Sequence, residues 1–259
     1  MEVVGRLDEI SPKTPIDAIV HLAGARVLGP PWTASRRHDL LESRAGVTER
    51  LLDLMRRLEQ KPRVLVAASA IGFYGASPIG GNEPCTESSP PKPGQFQSDL
   101  CAAIEAKARL AEAMGVRVVR MRFGVVLGRD GGAYPMQALA ARLGLGAVLG
   151  TGRQPAPWIH LDDAVGLLRL AIDNNDLAGA VNAVAPDTRP QGDFARALAK
   201  SFGRRVHLRV PSTALRLAMG EMGDLLLEGQ NVVPTVARQV GYAYAHASLQ
   251  EALDQLARA

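Results

Sequence analysis

Val64-Leu-Val-Ala-Ala68, running into Ser69-Ala-Ile-Gly-Phe-Tyr-Gly75, is the stretch on which the fold turns. A short apolar run without polar alternation reads as a strand buried on both faces, the mark of a parallel sheet covered by helices. Pro62 sets it off upstream, and the small residues after it read as a tight turn. Upstream, Ile16 to Leu22 is a second β-branched run, ending in Ala23-Gly24. Between the two, Thr33 to about Glu59 is helical: Leu40, Leu41, Val47, Leu51, Leu52, Leu54 and Met55 recur at helical spacing, with Thr33 or Ser35 as cap. Downstream, Glu83 to Gln95 holds four prolines and reads as a long surface loop, of the kind that often forms a lid. A helix from about Gln97 to Met114 stops at Gly115, and Val116 to Met121 is a third strand. Strand, helix, strand, helix, strand in order predicts a parallel sheet with right-handed crossovers.

Beyond Gly124 the pattern is mixed. Short strands are expected near Val148 and at Ala180–Val184. Helices are expected near Met136–Leu143, Asp162–Asp173, Gly192–Phe202, Ser212–Met219 and Ser248–Ala257. The 259 residues suffice for one large α/β domain with a small appendage, and the division expected is 1–205 and 206–259. The 47% hydrophobic and 22% charged composition is that of an ordinary globular protein. A net charge of +4, with basic pairs at Arg36-Arg37, Arg56-Arg57 and Arg204-Arg205, is too small and scattered for a nucleic-acid face and fits an anionic small ligand. Two cysteines, Cys85 and Cys101, without metal-ligand spacing argue against a disulfide framework or a metal site. With no signal-peptide pattern at the start and no apolar run long enough for a bilayer, the expectation is a cytoplasmic protein without a membrane partner. The sequence is compatible with a homo-oligomer and says nothing further about it.

In a doubly wound sheet, ligands lie beyond the carboxyl ends of the strands. Three successive ends here are rich in small residues: Leu22-Ala23-Gly24, Ser69 to Gly75, and Arg122-Phe123-Gly124-Val125-Val126. Each glycine alone can simply shape a turn; three ends together point to a groove for a flat ligand. The sequence resembles the NAD-dependent epimerase/dehydratase group of extended short-chain dehydrogenases, and within it the atypical branch called epimerase family proteins. The matching residues are Asp17 to Gly24, Trp32-Thr33-Ala34 with Ser43-Arg44, Ser69 to Gly75, Arg122 to Leu127 and Trp158-Ile-His-Leu-Asp-Asp163. Pro211 to Leu256 resembles that branch's small C-terminal domain.

The resemblance implies a Rossmann-like, doubly wound α/β sheet, N-terminally incomplete, followed by a small, mainly helical C-terminal domain. The family opens with a strand, a glycine-rich turn and a helix whose N-terminus meets the cofactor's pyrophosphate. About one βαβ unit of that pattern, roughly 50 residues, is absent. An internal methionine as the apparent start is the favoured explanation; the alternative is that something else covers the edge left at Ile16–Leu22. Gly144-Leu-Gly146-Ala-Val-Leu-Gly150 is no substitute: its spacing is wrong, and Pro155 and Pro157 forbid a helix soon after it.

The implied cofactor is NADP or NAD, with NADP slightly favoured, held by Leu22, Ala23, Gly24, Ser69, Ala70, Arg122, Phe123, Gly124, Val125 and Val126. Trp158 and His160 would border the substrate pocket, and Glu83–Gln95 would cover it. The superfamily's usual Tyr-x-x-x-Lys pair, which trades a proton with the substrate as hydride moves, is missing: Gln97 and Cys101 stand at those positions. Ser69 and Tyr74 are the candidate catalytic groups in its place, each with a bland alternative as turn or packing residue. Asp162-Asp163 reads first as a helix cap. Arg44 reads as a phosphate ligand or a surface ion pair, and Cys101 as a buried small hydrophobe. The expected function is an NAD(P)(H)-linked oxidoreductase or epimerase acting on a small polar molecule, impaired by loss of the pyrophosphate loop. The alternative is a non-catalytic dinucleotide sensor or interaction protein.

Overall fold

A computed structural model describes residues 3–76 and 83–258. Four parallel strands make the central sheet in the order β1-β2-β3-β8: β1 (Ala18–His21), β2 (Val64–Ala70), β3 (Arg117–Phe123) and β8 (Gly179–Ala183). Register pairs Ala18 with Val64, Val64 with Arg117, and Val119 with Gly179. The unalternating apolar runs follow from burial on both faces. Val64 and Val66 join Val119, Met121 and Val181 against the helix α5 (Leu161–Asp173). Leu65 and Ala67 join Val118 on the opposite face, against Leu51, Leu52 and Met55 of α2 (Val47–Arg57) and Ala108 of α3 (Phe96–Arg109). Each such fully buried aliphatic side chain contributes about 1.5–3 kcal/mol.

Two expected helices are interrupted. The segment 33–59 begins with α1 (Ala34–Leu41), capped by the Thr33 hydroxyl, which accepts from the Arg36 amide at 3.2 Å. It widens into a π-type turn at Glu42–Gly46 before α2. Widened turns of this kind often mark functional positions, and here Arg44 reaches from that turn to the Ala25 carbonyl at 2.8 Å. The helix expected to run to Met114 tightens after Arg109 and ends on Gly115, whose φ of +77° is open to glycine at little cost.

Shorter elements build the rest. β4 (Val125–Leu127) pairs in parallel with β7 (Trp158–His160). The helix α4 (Tyr134–Arg142) leads to β5 (Ala147–Leu149), and β6 (Pro155–Ala156) pairs with β9 (Arg189–Pro190). The element after Gly150 is the strand β6 and not a helix, in keeping with the reading of that glycine run as something other than a phosphate loop. The chain after residue 206 is mainly helical: α7 (Ser212–Met219), α8 (Asp224–Leu227), α9 (Thr235–Gln239) and α10 (Leu249–Arg258). Its strand β10 (Leu208–Val210) pairs with β5, α10 packs on α6 (Gln191–Ser201) and α9 packs on β8. No described helix is long and apolar enough to cross a membrane.

Among the described residues β1 pairs with β2 alone. Val20 and Leu22 are 39% and 56% exposed, and a groove of about 760 Å³ runs past them, between the segment around Arg6 and the helix α2. The open hydrophobic edge expected from the sequence is therefore present in the fold.

Candidate functional site

The carboxyl ends of β1, β2 and β3 lie side by side, as the register requires. Leu22, Ala23, Gly24 and Val125 are exposed there, while Ser69, Ala70, Phe123, Gly124 and Val126 are half-buried. These are the strand ends expected to hold a flat ligand. Two of their glycines, however, admit the protein's own groups. A Cβ on Gly24 would stand 2.7 Å from Arg44 Cζ, and a Cβ on Gly124 would stand 2.9 Å from both the Pro157 carbonyl oxygen and Val184 Cγ1. At Gly124 the close backbone leaves no room for a side chain, whereas at Gly24 the neighbour is the far end of a flexible arginine.

Arg122, expected to face the cofactor, points into the core. Its side chain and that of Glu105 are each 3% exposed. The pair is bidentate, Nε to Oε1 and Nη2 to Oε2, both at 2.8 Å. Burial alone would push the guanidinium down; the bonds to Glu105 and Tyr74 outweigh it and hold its pKa above the ordinary value. The guanidinium lies 3.5 Å from the Phe73 ring centroid and donates from Nη1 to the Tyr74 hydroxyl at 2.9 Å and the Glu87 carbonyl at 3.2 Å.

The two hydroxyls expected to do chemistry belong to the same network. Ser69 Oγ donates to Glu105 Oε1 at 2.8 Å, and the Tyr74 hydroxyl donates to Asn182 Oδ1 at 2.6 Å. Burial raises the Tyr74 phenol above its ordinary pKa. Gln97 and Cys101, at the positions of the usual proton-transfer pair, pack against the turn after β2, and burial pushes the Cys101 thiol up to about 11. Cys101 is the buried small residue that the sequence suggested.

Trp158 and His160 are buried structural residues instead of pocket walls. The Trp158 indole donates to the Asp187 carbonyl at 2.8 Å inside a hydrophobic cluster. His160 caps α5: its Nδ1 accepts the Asp162 amide at 3.1 Å, so the imidazole performs the capping expected of the two aspartates. Asp163 instead holds the C-terminal segment, accepting from the amides of Ala245 and His246 at 2.8 and 2.9 Å. His246 stacks on His160 at 3.8 Å, beside Asp162. The expected lid, Glu83–Gln95, is pinned down: Glu87 Oε1 accepts from the amides of Asn182 and Val236, both at 3.1 Å, and the Cys85 amide donates to Asn231. Pro78, four residues after Tyr74, lies outside the described residues.

Sequence reasoning missed the pocket itself. A cavity of about 340 Å³ opens beside Ile71 and Val125, which directly follow β2 and β3. Its walls include Leu145 after α4, Leu149 of β5, Phe194 of α6 and Leu226 of α8, and among the described residues none that lines it is Arg, Lys or His. No local motif announces it, because its walls come from elements far apart in sequence. Arg44, read from the sequence as a phosphate ligand or a surface ion pair, makes no ion pair among the described residues: its half-buried guanidinium bonds backbone carbonyls and Ser43, and burial lowers its pKa.

A parallel sheet with helices on both faces and a groove at its strand ends defines an NAD(P)-binding, Rossmann-type epimerase fold. The model for the NAD dependent epimerase/dehydratase family matches residues 4–184, and the chain belongs to that family. Residues 210–256 match a domain of unknown function, DUF1731. Within the family the chain is an atypical extended short-chain dehydrogenase of the epimerase-family-protein kind. It is 35% identical to YfhF of Bacillus subtilis over 93% of this chain and 78% of that protein. It is 38% identical to mouse SDR39U1 over 92% and 80%. The crystal structure of human SDR39U1 (isoform 2) with NADPH superposes at a TM-score of 0.91, with 35% identity, 97% of this chain and 85% of that chain covered. A UDP-N-acetylglucosamine 4-epimerase from Bacillus cereus, 16% identical with a TM-score of 0.72, shares the fold.

Proposed function

We propose that the protein serves an NADP(H)- or NAD(H)-linked oxidoreductase or epimerase reaction, with the dinucleotide across the ends of β1, β2 and β3 and the substrate in the cavity beside Ile71 and Val125. The observation that carries this reading is that Ile71 and Val125, at the carboxyl ends of β2 and β3, stand in the cavity wall, which sets the cavity beside the strand ends where a dinucleotide would lie. The human relative's NADPH supports the choice of dinucleotide. Arg44, a cation with no carboxylate among its bonded partners, would favour the anionic cofactor. A diphosphate also needs free amides at a helix N-terminus. Among the described residues no glycine-rich strand–turn–helix flanks β1, so full affinity would depend on such a unit at the open edge.

Binding without turnover is a second reading, favoured by one observation: the Ser69 and Tyr74 hydroxyls are already committed to Glu105 and Asn182. Calorimetric titration of NADPH into residues 1–259, and into a form carrying a strand–glycine-turn–helix unit upstream of β1, tests the cofactor assignment. The expected result is weak binding by the first and micromolar binding by the second. Micromolar binding by residues 1–259 alone would refute the dependence on that unit; no binding by either would refute the dinucleotide reading. NADPH oxidation with a panel of carbonyl compounds separates enzyme from sensor.

A further inference from the structure

We infer that the cavity beside Ile71 and Val125 takes an uncharged, largely apolar molecule bearing a hydroxyl or N–H donor, and not a nucleotide sugar. The inference deepens the reading of that cavity as the substrate side. Its volume, about 340 Å³, is at the small end of the range for small-molecule sites. Its walls are dominated by leucine, alanine, proline and Phe194.

A nucleoside diphosphate would bring two negative phosphates, which need arginine, lysine or a helix N-terminus to replace their water. Among the described residues no basic side chain lines the cavity, and the ionisable group in its wall, Glu228, is a carboxylate facing Arg216 at 3.3 Å. An acidic group beside an apolar wall repels such a ligand. The polyprenyl-like or aromatic bulk of a neutral molecule meets no such penalty, and its burial is favourable in proportion to area.

The polar groups in the wall then say what the neutral ligand carries. Gln191 donates to the Ala147 carbonyl at 3.3 Å and accepts from the Leu149 amide at 2.9 Å, and Gln230 donates to the Gly75 carbonyl. Gln154 is different. It is 2% exposed, and its Nε2 donates to the carbonyls of Leu149 at 3.1 Å and Leu226 at 2.8 Å. Those two bonds fix which end of the amide is nitrogen, and its Oε1 is left buried without a partner. Buried acceptors are nearly always satisfied, so an orphan on a residue of the cavity wall calls for a donor, and one from a ligand reaches it once the neighbouring wall atoms that cover it shift aside. A hydroxyl or N–H reaching Gln154 would supply it; an ether or hydrocarbon of the same shape would not. A site built to bond a ligand's hydroxyl rejects the analogue lacking it.

The test uses the purified chain and three probes in isothermal calorimetry: 2-naphthol, its methyl ether 2-methoxynaphthalene, and UDP-glucose. We expect 2-naphthol to bind at least tenfold more tightly than the ether, about 1.4 kcal/mol, and UDP-glucose to give no heat at millimolar concentration. Gln154→Met should erase the preference for the hydroxyl. Because loss of two Gln154 bonds to the backbone could unfold that variant, Ala140→Trp provides a second check: Ala140 is half-buried in the cavity wall, and the indole should abolish 2-naphthol binding while circular dichroism stays unchanged. Equal affinity for 2-naphthol and its ether, binding of UDP-glucose, or 2-naphthol binding that survives Ala140→Trp each overturns the inference. None of these measurements involves a dinucleotide, so failure to bind NADPH would remove the cofactor reading and leave the cavity's chemistry standing.

Discussion

Replacing Glu105 with glutamine tests whether the groove rests on the buried Arg122 network. The substitution keeps the shape of the side chain and removes its charge. Arg122 would then be a cation, 3% exposed, with the bidentate bonds at 2.8 Å lost or weakened. Removing one partner of a buried ion pair costs about 3–5 kcal/mol, because the remaining charge is stranded. For a protein of this size each kcal/mol lowers Tm by about 2–4 °C, so the expected loss is roughly 6–20 °C. Calorimetry or thermal denaturation followed by circular dichroism would measure it. The double variant Glu105→Leu with Arg122→Leu removes the fully buried charge and should recover part of the loss, short of complete recovery because Arg120, 3.3 Å from Glu105 Oε2 and 19% exposed, loses its carboxylate, and Tyr74 and the Glu87 carbonyl lose their donor. Ser69→Ala should cost about 1–2 kcal/mol for loss of one buried hydrogen bond, and Tyr74→Phe about 2–3 kcal/mol for loss of two, one of them from the Arg122 guanidinium. A Glu105→Gln variant that melts within 2–3 °C of the parent (~1 kcal/mol) would refute the reasoning, and Ser69 and Tyr74 would again be free to be judged as catalytic groups.

Three further outcomes are expected. Burial, helped by the neighbouring His246, holds His160 below the ordinary histidine value of 6.5, and burial does the same to His21. The unfolded chain therefore binds more protons than the folded one just below that value. Stability should be fully present above pH 6.5 and fall as pH drops through the lowered folded values, and His160→Gln should flatten the slope of Tm between pH 7 and pH 5; an unchanged slope would count against it. At Gly229 a Cβ would stand 2.4 Å from the Pro155 carbonyl oxygen, a backbone atom that cannot swing aside. Gly229→Ala should cost about 1–3 kcal/mol, read as a lower midpoint in urea, and a neutral result would mean the cavity wall yields. Val20→Lys, on the open edge of β1, should reduce concentration-dependent association in sedimentation velocity, since a charge blunts a pairing edge; identical association by parent and variant would show that the edge is not a contact.

Much of the fold was legible because burial on both faces leaves a direct trace. Val64 to Ala68, Ile16 to Leu22 and Val116 to Met121 each became strands of one parallel sheet, and Ser212–Met219 became a helix with those bounds. What the sequence hid was local. The π-type turn at Glu42–Gly46 breaks a pattern whose hydrophobic spacing stays helical on either side, and from it Arg44 bonds Ala25, nineteen residues away, a contact that no local pattern announces. The tightening after Arg109 is equally silent, because Leu110 to Met114 have ordinary helical preferences and only Gly115 ends the run.

The site was less legible than the fold, for a reason that the glycines make plain. Small residues at strand ends say that something comes close, and sequence alone cannot say what. At Gly24 it is Arg44, and at Gly124 it is Pro157 and Val184. Likewise a serine, a tyrosine and an arginine at the ends of neighbouring strands read as a reaction centre, yet Glu105 on α3 draws Ser69 and Arg122 inward, and Asn182 on β8 draws Tyr74. Glu105 carried the deciding signal: a lone carboxylate amid Ala102, Ala103, Ile104, Ala106 and Ala108 on a helix packed against the sheet must be paired if it is to be buried. Arg122 is the nearest cation the register can offer. With that pair assigned, Arg122 and Ser69 are held by Glu105 and Tyr74 by Asn182, and among the described residues lining the cavity beside Ile71 and Val125 the buried polar atom left without a partner is Gln154 Oε1.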